Sequence, residues 1–236
     1  MIQPNDNSLA QIAWASKKTG LTLITHDINI PFASEAMTRR FLDNGEYSTA
    51  LDQCISWMID EPFSSIPAVT GSYIAALFEE NYDCAEQFCL LGLKANPTDK
   101  MLLNNYSVVL AKTGRIKKAI VKFKEIGKLE KKPDSHLTLL ATSGLLLMRN
   151  GNVLEGRIKY QESINMAIQK NFHEAAAMIG LHLVLEEIEH GELDTLEVNR
   201  IISRTVGSFK SNNVNYLKNI VINKLKNYKE KIIQLS

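Results

Sequence analysis

Apolar positions recur at intervals of three and four residues along much of the chain, which is the spacing of one face of an α-helix. Leu51, Ile55 and Met58 form one such stripe, and Ile120 and Phe123 belong to another. Glycine and proline are scarce and fall at intervals, which is typical of many helices joined by short turns. The pattern therefore predicts an all-α protein in which these stripes fill the seams between packed helices.

The chain also repeats itself with a period of 34 to 37 residues. Each unit has a tight-turn sequence followed a few positions later by a small residue, and these small residues are Ala50, Ala85, Ala119 and Gly156. A proline closes each of the first three units, at Pro62, Pro97 and Pro133. A period of this length predicts stacked helix pairs, because each pair buries its apolar face only against its neighbours.

These residues resemble the tetratricopeptide repeat family. The first unit matches the family pattern in full, with Gly45-Glu46-Tyr47, Ala50 and Pro62. The second unit keeps Tyr82, Ala85 and Pro97 but has Glu80 where the family has glycine. The third carries Gly114 and Ala119 in register, and the fourth carries Gly144 seven residues before Gly151. The resemblance covers about residues 31 to 170 and implies an α-α superhelix, a solenoid of antiparallel helix pairs.

Outside that region the pattern weakens, so we predict three parts. Residues 1–30 are a degenerate N-terminal repeat or the remnant of a preceding one, and a chain that begins partway through a longer protein is the favoured interpretation. Residues 31–170 are the repeats. Residues 171–236 hold an amphipathic helix ending at Gly191, a helix near 194–206 and a long one near 212–234. The last two are expected to act as C-terminal capping helices.

Charge and cysteine content limit the function. The 27 Lys and Arg residues nearly balance the 26 Asp and Glu residues, so the whole chain has no net field that would attract nucleic acid or an anionic membrane. Three cysteines are too few for a disulfide framework and indicate a reducing compartment, which predicts a cytoplasmic protein. No apolar run reaches the roughly 20 residues that span a bilayer.

Several side-chain patterns were considered as chemical sites. His182, Glu186 and His190 are four residues apart and share one helix stripe, but three ligands on one helix need further donors to hold zinc, so we interpret them as a solvated face. Cys54 and Cys89 occupy the same repeat position and are predicted to fill the core. No phosphate loop, zinc-protease motif or nucleophile elbow is present, which predicts a non-enzymatic protein with no cofactor and no metal.

Basic residues are concentrated in two segments of the chain. The first group contains Arg115, Lys117, Lys118, Lys122, Lys124, Lys128, Lys131 and Lys132, and the second contains Lys210, Lys218, Lys224, Lys226, Lys229 and Lys231. Basic stripes interleaved with aromatics can bind nucleic acid. Second helices of the resembled family lie on the solvated side, where lysine serves solubility, so nucleic-acid binding is the disfavoured interpretation.

The resemblance implies a concave groove lined by the first helix of each repeat. The positions it selects are Arg39, Thr70, Ile74, Asn104, Asn105, Val108, Thr142 and Leu145. Asparagine amides would bond an extended peptide and the apolar members would accept its side chains. The lysines of an acidic-tail clamp are absent from these places. A groove filled by the chain's own C-terminal helix is the alternative.

The sequence thus predicts a protein-interaction scaffold that binds a peptide or a partner helix in that groove, as one region of a larger protein. Two alternatives remain. The first is an oligomerisation module that acts through its capping helices, which would make the protein a homo-oligomer. The second is nucleic-acid binding through the lysine-rich helices.

Overall fold

Helices joined by short turns account for nearly all of the chain that the structure describes. The structure is a computed structural model that describes residues 33–129, 137–191, 200–201, 203 and 211–235, with side chains described as far as residue 226. Within those residues lie ten α-helices and no β-strand. The helices are α1 Ser34–Asn44, α2 Tyr47–Asp60, α3 Ile66–Leu77, α4 Tyr82–Ala95, α5 Lys100–Lys112, α6 Ile116–Leu129, α7 Leu137–Arg149, α8 Val153–Gln169, α9 His173–His190 and α10 Asn212–Leu235. The predicted all-α fold of helix pairs is confirmed.

The turns between paired helices share one hydrogen-bonding pattern. Gly45 has φ 79°, its N–H donates to the Leu42 carbonyl at 3.1 Å, and the N–H of Glu46 donates to Phe41 at 2.8 Å. The turns at Gly114 and Gly151 repeat both bonds, with φ of 78° and 91°. This is the Schellman ending of a helix, which needs the left-handed backbone that glycine adopts without a Cβ clash.

The second repeat makes its turn without glycine. Glu80 takes φ 48° there, a conformation that is uncommon for a residue with a Cβ. The N–H of the following residue, Asn81, reaches back to the Ala75 carbonyl at 2.9 Å, and the Asn81 side chain accepts from the N–H of Cys84. An N-terminal cap on α4 therefore accompanies the strained turn at the position where the sequence departs from the family pattern.

The repeated small residues lie where paired helices cross. Ala50, Ala85 and Ala119 are fully buried, and so is Gly156 on α8. Gly144 on α7 lies so close to α8 that a Cβ placed on it would be 2.8 Å from the backbone oxygen of Gly156. The predicted role of these residues is confirmed, because side chains larger than methyl would hold the helices apart.

The described residues divide between Leu102 and Leu103, inside α5, into two compact units. In the first unit α1 packs on α2, α2 on α3 and α3 on α4, so successive helices are neighbours. Stacked rings of Tyr47 and Phe78, 4.2 Å between centroids, fill part of that core. The sequence-based boundaries at residues 30 and 170 follow repeats rather than contacts and stay a prediction.

In the second unit α6 packs on α7, α7 on α8, α8 on α9 and α9 on α10, and α7 also contacts α9. The predicted helices ending at Gly191 and near 212–234 correspond to α9 and α10. Val214, Leu217 and Val221 on α10 are buried, which fits a helix that covers the end of a stack. The degenerate repeat of residues 1–30, Pro133 and most of the predicted helix near 194–206 lie outside the described residues.

The glycine crossing predicts a contrast between two helical glycines. We expect Gly156→Ala to lower the free energy of unfolding by about 1–3 kcal/mol, because its Cβ would meet the Gly144 oxygen at 2.7 Å and the Met148 backbone nitrogen at 2.9 Å. Gly127→Ala on α6 meets nothing within 4 Å and is expected to stabilise by up to about 1 kcal/mol. Urea unfolding of both variants checks this, and equal effects would contradict the close crossing.

Candidate functional site

The predicted groove positions divide between accessible and buried side chains. Arg39 is exposed and bonded to Glu35 at 2.8 Å, and Thr70, Asn105 and Val108 are half-buried. The other four positions are corrections to the sequence-based prediction, because their side chains lie in the core: Ile74 at 0% exposure, Asn104 at 1%, Thr142 at 5% and Leu145 at 4%.

The physical reason for this burial is helix packing on more than one side. Ile74 lies on α3, which packs between α2 and α4, and Thr142 and Leu145 lie on α7, which contacts α6, α8 and α9. Asn104 is enclosed to the extent that its Oδ1 has no hydrogen-bond partner among the described residues. These four side chains cannot line an open groove, so the groove prediction rests on the accessible four.

The second helices present a recurrent exposed face instead. We call it the outer stripe, and it consists of the four positions that lie two before and two, five and nine after the buried small residue of each repeat. Its members are Ser48, Asp52, Ile55 and Ile59 on α2, Asp83, Gln87, Leu90 and Lys94 on α4, Lys117, Val121, Lys124 and Lys128 on α6, and Leu154, Ile158, Gln161 and Asn165 on α8. All are exposed except Gln161 and Asn165, which are half-buried.

The C-terminal half of the outer stripe of α2 is apolar, and this apolar character continues into the following loop. Ile55 is 49% exposed, Ile59 74%, Phe63 86% and Ile66 50%, and we call these four residues the apolar run. The exposure of Ile55 corrects the sequence-based prediction that it fills a helix seam. The backbone oxygen of Phe63 accepts a hydrogen bond from Nδ2 of Asn96 at 3.1 Å, so the loop is tied to the end of α4 while the ring faces solvent.

Charge is segregated between the two units although the whole chain is nearly neutral. Residues 1–102 carry 6 Lys and Arg against 13 Asp and Glu, a net charge of −7. Residues 103–236 carry 21 Lys and Arg against 13 Asp and Glu, a net charge of +8. The near-zero total therefore hides two strong local fields of opposite sign.

The lysines of α6 contribute much of the positive charge. Lys117, Lys118, Lys124 and Lys128 are exposed, and the described residues offer none of them an ion-pair partner. The fifth lysine of the helix, Lys122, pairs with Glu125 at 3.0 Å. The outer stripe of α6 is thus cationic, with Val121, 61% exposed, between its lysines.

A buried ion-pair network lies in the second unit. Glu186 on α9 has a side chain only 1% exposed, and its oxygens accept from Nε and Nη2 of Arg149 at 2.7 and 3.0 Å and from Nζ of Lys112 at 2.6 Å. Arg149 also bonds Glu189 at 2.6 Å, and Lys224 of α10 bonds the same carboxylate at 3.2 Å. Four helices are held in one register by this network.

The network corrects the interpretation of His182, Glu186 and His190 as a solvated face. Glu186 is enclosed, and His182 is half-buried, with its Nε2 buried and without a hydrogen-bond partner among the described residues. Only His190 is exposed. Spacing alone could not distinguish these environments, because it assigns a face of a helix but not what packs against that face.

A sequence signal for the network does exist. Lys112 and Arg149 are the last residues of α5 and α7, and each lies two residues before its turn glycine. Glu186 follows Arg149 by 37 residues, the same interval that separates Lys112 from Arg149. Opposite charges at one repeat position of adjacent first helices predict a ladder of ion pairs.

Burial and charge shift several pKa values in the network. Burial, with help from Lys112 and Lys224, lowers the pKa of His182 to about 3, so this ring is neutral at pH 7. Burial would raise the pKa of Glu189, but Lys112, Arg149 and Lys224 outweigh it and hold that pKa below its usual value. Burial would lower the pKa of Arg149, and its bonds to Glu186 and Glu189 raise it instead.

A metal ion has little to bind here. Ligand atoms of Glu186, Glu189 and His190 lie within 4.8 Å of one another. Both carboxylates, however, already accept from Lys112, Arg149 and Lys224, whose positive charge opposes a cation at the same point. The chemistry of the donor set fits an ion-pair network better than a metal centre.

Cys54 and Cys89 fill the core as predicted. Cys54 and Cys89 are buried and free, and burial raises the pKa of each thiol to about 12. Cys84 is half-buried, and its pKa is raised by burial and by nearby Asp52. Thiols with pKa values this high are protonated at neutral pH and are poor nucleophiles.

Comparisons with known proteins give a limited result. No protein-family profile matches the chain, and no curated protein sequence matches it. A solved structure described as a MamA RS-1 ArsTM double mutant is similar at a TM-score of 0.45 and 15% sequence identity, over 79% of this chain and 93% of that one. In the described residues no helix is both long and apolar enough to cross a membrane.

The buried network predicts unequal costs for two arginines. We expect Arg149→Met to lower the free energy of unfolding by about 3–5 kcal/mol, because the buried Glu186 would lose both hydrogen bonds to the guanidinium and keep only Lys112. Arg39→Met removes an exposed pair with Glu35 and is expected to cost at most about 0.5 kcal/mol. Chemical denaturation measures both, and similar costs would contradict a buried network.

The low pKa of His182 predicts that acid destabilises the folded chain. Its folded pKa of about 3 lies below its ordinary value, so the unfolded chain binds a proton more readily than the folded chain between about pH 6.5 and pH 3. The free energy of unfolding should therefore fall as pH decreases through that range. Unfolding of His182→Leu at several pH values should show a weaker dependence between pH 6.5 and 5. An unchanged slope would contradict the assignment.

Proposed function

We propose that this chain is a non-enzymatic protein-interaction scaffold that contacts a partner through the outer surface of its first unit. The apolar run supports this proposal more than any other observation. Isoleucine and phenylalanine side chains with exposures of 49% to 86% are unfavourably exposed to water. Covering them with a partner removes apolar area from water and so stabilises the complex. The partner is a protein segment that presents apolar side chains of its own.

The arrangement of the apolar run suits such a contact. Ile55 and Ile59 are one helical turn apart on α2, so their side chains point the same way. Phe63 follows in a loop whose backbone is tied to Asn96, so little further ordering of that backbone is needed on binding. An aromatic ring flanked by aliphatic side chains is a common composition for the centre of a protein interface.

The absence of chemistry is also part of the proposal. Cys54 and Cys89, with pKa values near 12, are protonated, and His182 is enclosed and neutral at pH 7. The buried carboxylates of Glu186 and Glu187 are engaged by arginine and lysine. Each of these groups has a structural partner or environment that explains it without a substrate.

Binding at the accessible positions of the first helices stays the second candidate. These positions are Arg39 and Thr70 in the first unit and Asn105 and Val108 in the second. They would contact a peptide mainly through polar groups, whereas the apolar run would contact it through apolar area. Substitutions therefore distinguish the two candidate surfaces, because only those in the true binding surface should weaken binding.

The test begins with a photo-crosslinking amino acid in place of Phe63, expressed in the source cells. A matched control carries it in place of Gln87, an exposed polar member of the outer stripe. We expect a protein partner to be captured from position 63 and not from position 87. Capture at neither position would contradict the proposal.

Affinity for the captured partner is then measured by calorimetry. Ile59→Asp is expected to weaken binding about tenfold or more, which corresponds to about 1.4 kcal/mol, since it places a charge in an apolar contact. Ser56→Asp, on the same helix and exposed, should bind as the wild type does. If Asn105→Ala weakens binding and Ile59→Asp does not, the first-helix groove is the site instead.

A further inference from the structure

The outer stripe of α6 carries three lysines, whereas those of α2 and α4 each carry one aspartate within the acidic unit. Asp52 on α2 and Asp83 on α4 belong to the stripes of the first unit, and Lys117 and Lys124 on α6 belong to a stripe of the second. Asp83 and Lys117 occupy the same repeat position, two residues before the small residue of their helices. Exposed surfaces of opposite charge can face each other across an interface.

Exposed carboxylates of two helices form the acidic side. Asp52 on α2 and Asp83 on α4 are both exposed. The charge of Asp52 also raises the pKa of the thiol of Cys84, the residue after Asp83. Further exposed carboxylates lie in the adjoining turns, at Glu46, Glu79 and Glu80. This surface belongs to a unit of net charge −7.

We propose that copies of this chain associate head to tail, with the cationic outer stripe of α6 in one copy seated on this acidic surface of another. Every copy carries both surfaces, −7 in one unit and +8 in the other, so the complementary partner is always present at the same concentration. The contact is heterologous, because two different surfaces meet, and it leaves a free surface of each sign at the ends.

Apolar side chains lie within both charged surfaces. Val121, 61% exposed, lies between the lysines of α6, and Ile55, 49% exposed, follows Asp52 by three residues on α2. A protein surface offers such side chains a partner, whereas a nucleic acid backbone does not. The α6 stripe also contains no aromatic side chain on which a base would stack. Both observations favour a second copy over nucleic acid.

Exposed ion pairs are individually weak, and salt screens them over a distance of about 10 Å at 0.1 M and about 3 Å at 1 M. The association should therefore be reversible and sensitive to salt. In sedimentation velocity, the average mass of the wild type should rise with protein concentration at about 0.05 M salt and return to that of one chain at about 1 M salt.

A charge exchange tests which surfaces meet. The triple variant Lys117→Glu, Lys124→Glu, Lys128→Glu and the double variant Asp52→Lys, Asp83→Lys should each sediment as single chains at low salt. Mixed together, they should associate again, because the native acidic surface of the first meets the native lysine stripe of the second, and the two reversed surfaces also match in charge. Lys94→Glu is the matched control. It reverses a lysine at the same repeat position as Lys128 but in the acidic unit, and it should not reduce the mass.

Several results would overturn the proposal. A mass independent of concentration at low salt, self-association that survives both reversals, or a mixture that stays monomeric would each do so. Binding of a single-stranded oligonucleotide that the lysine reversal abolishes, without any self-association, would assign the stripe to nucleic acid. Ile59→Asp should leave self-association unchanged, which separates this proposal from the proposed partner binding. Circular dichroism confirms that each variant is folded.

Discussion

The close crossing of paired helices at a small residue determines which faces of this protein are inside and which are outside. Ala50, Ala85, Ala119 and Gly156 admit the neighbouring helix to near backbone contact, and Gly144 opposite Gly156 makes the approach closer still. Once the small residue faces inward, helical geometry sends the positions two before and two, five and nine after it outward. The outer stripe is thus a geometric consequence of the core, and its side chains are free to vary in chemistry.

That freedom is used differently in each repeat. The stripe is apolar at the end of α2, cationic on α6 and apolar again at Leu154 and Ile158 of α8. These differences between repeats do not disturb the helix crossing, because exposed side chains that touch nothing contribute little to stability. A repeat scaffold therefore separates the residues that specify the fold from the residues that contact other molecules.

The sequence predicted the features that are local. Turn glycines, helix ends near Pro62 and Pro97 and the small crossing residues follow from a few adjacent positions, and they were found where expected. The groove was less predictable, since Ile74 is buried on a helix that packs between α2 and α4, and Leu145 on a helix that contacts α6, α8 and α9. Likewise, Ile55 has the spacing of a core residue but lies on the exposed edge of its stripe. Periodicity locates a face of a helix, whereas burial depends on how many helices pack around it.

The segregation of charge was not predicted from the sequence for a different reason. Taken one helix at a time, the lysines of α6 and the carboxylates of α2 and α4 have the pattern of an ordinary solvated face. The net charge of the whole chain is near zero. The opposition appears only when charges are added over structural units, and the units are known only from the contacts between helices. Charges buried at the ends of α5, α7 and α9 are satisfied within one chain, whereas those of the outer stripes have solvent as their alternative partner. The interior charges therefore fix the register of helices, and the exterior ones remain available to another molecule.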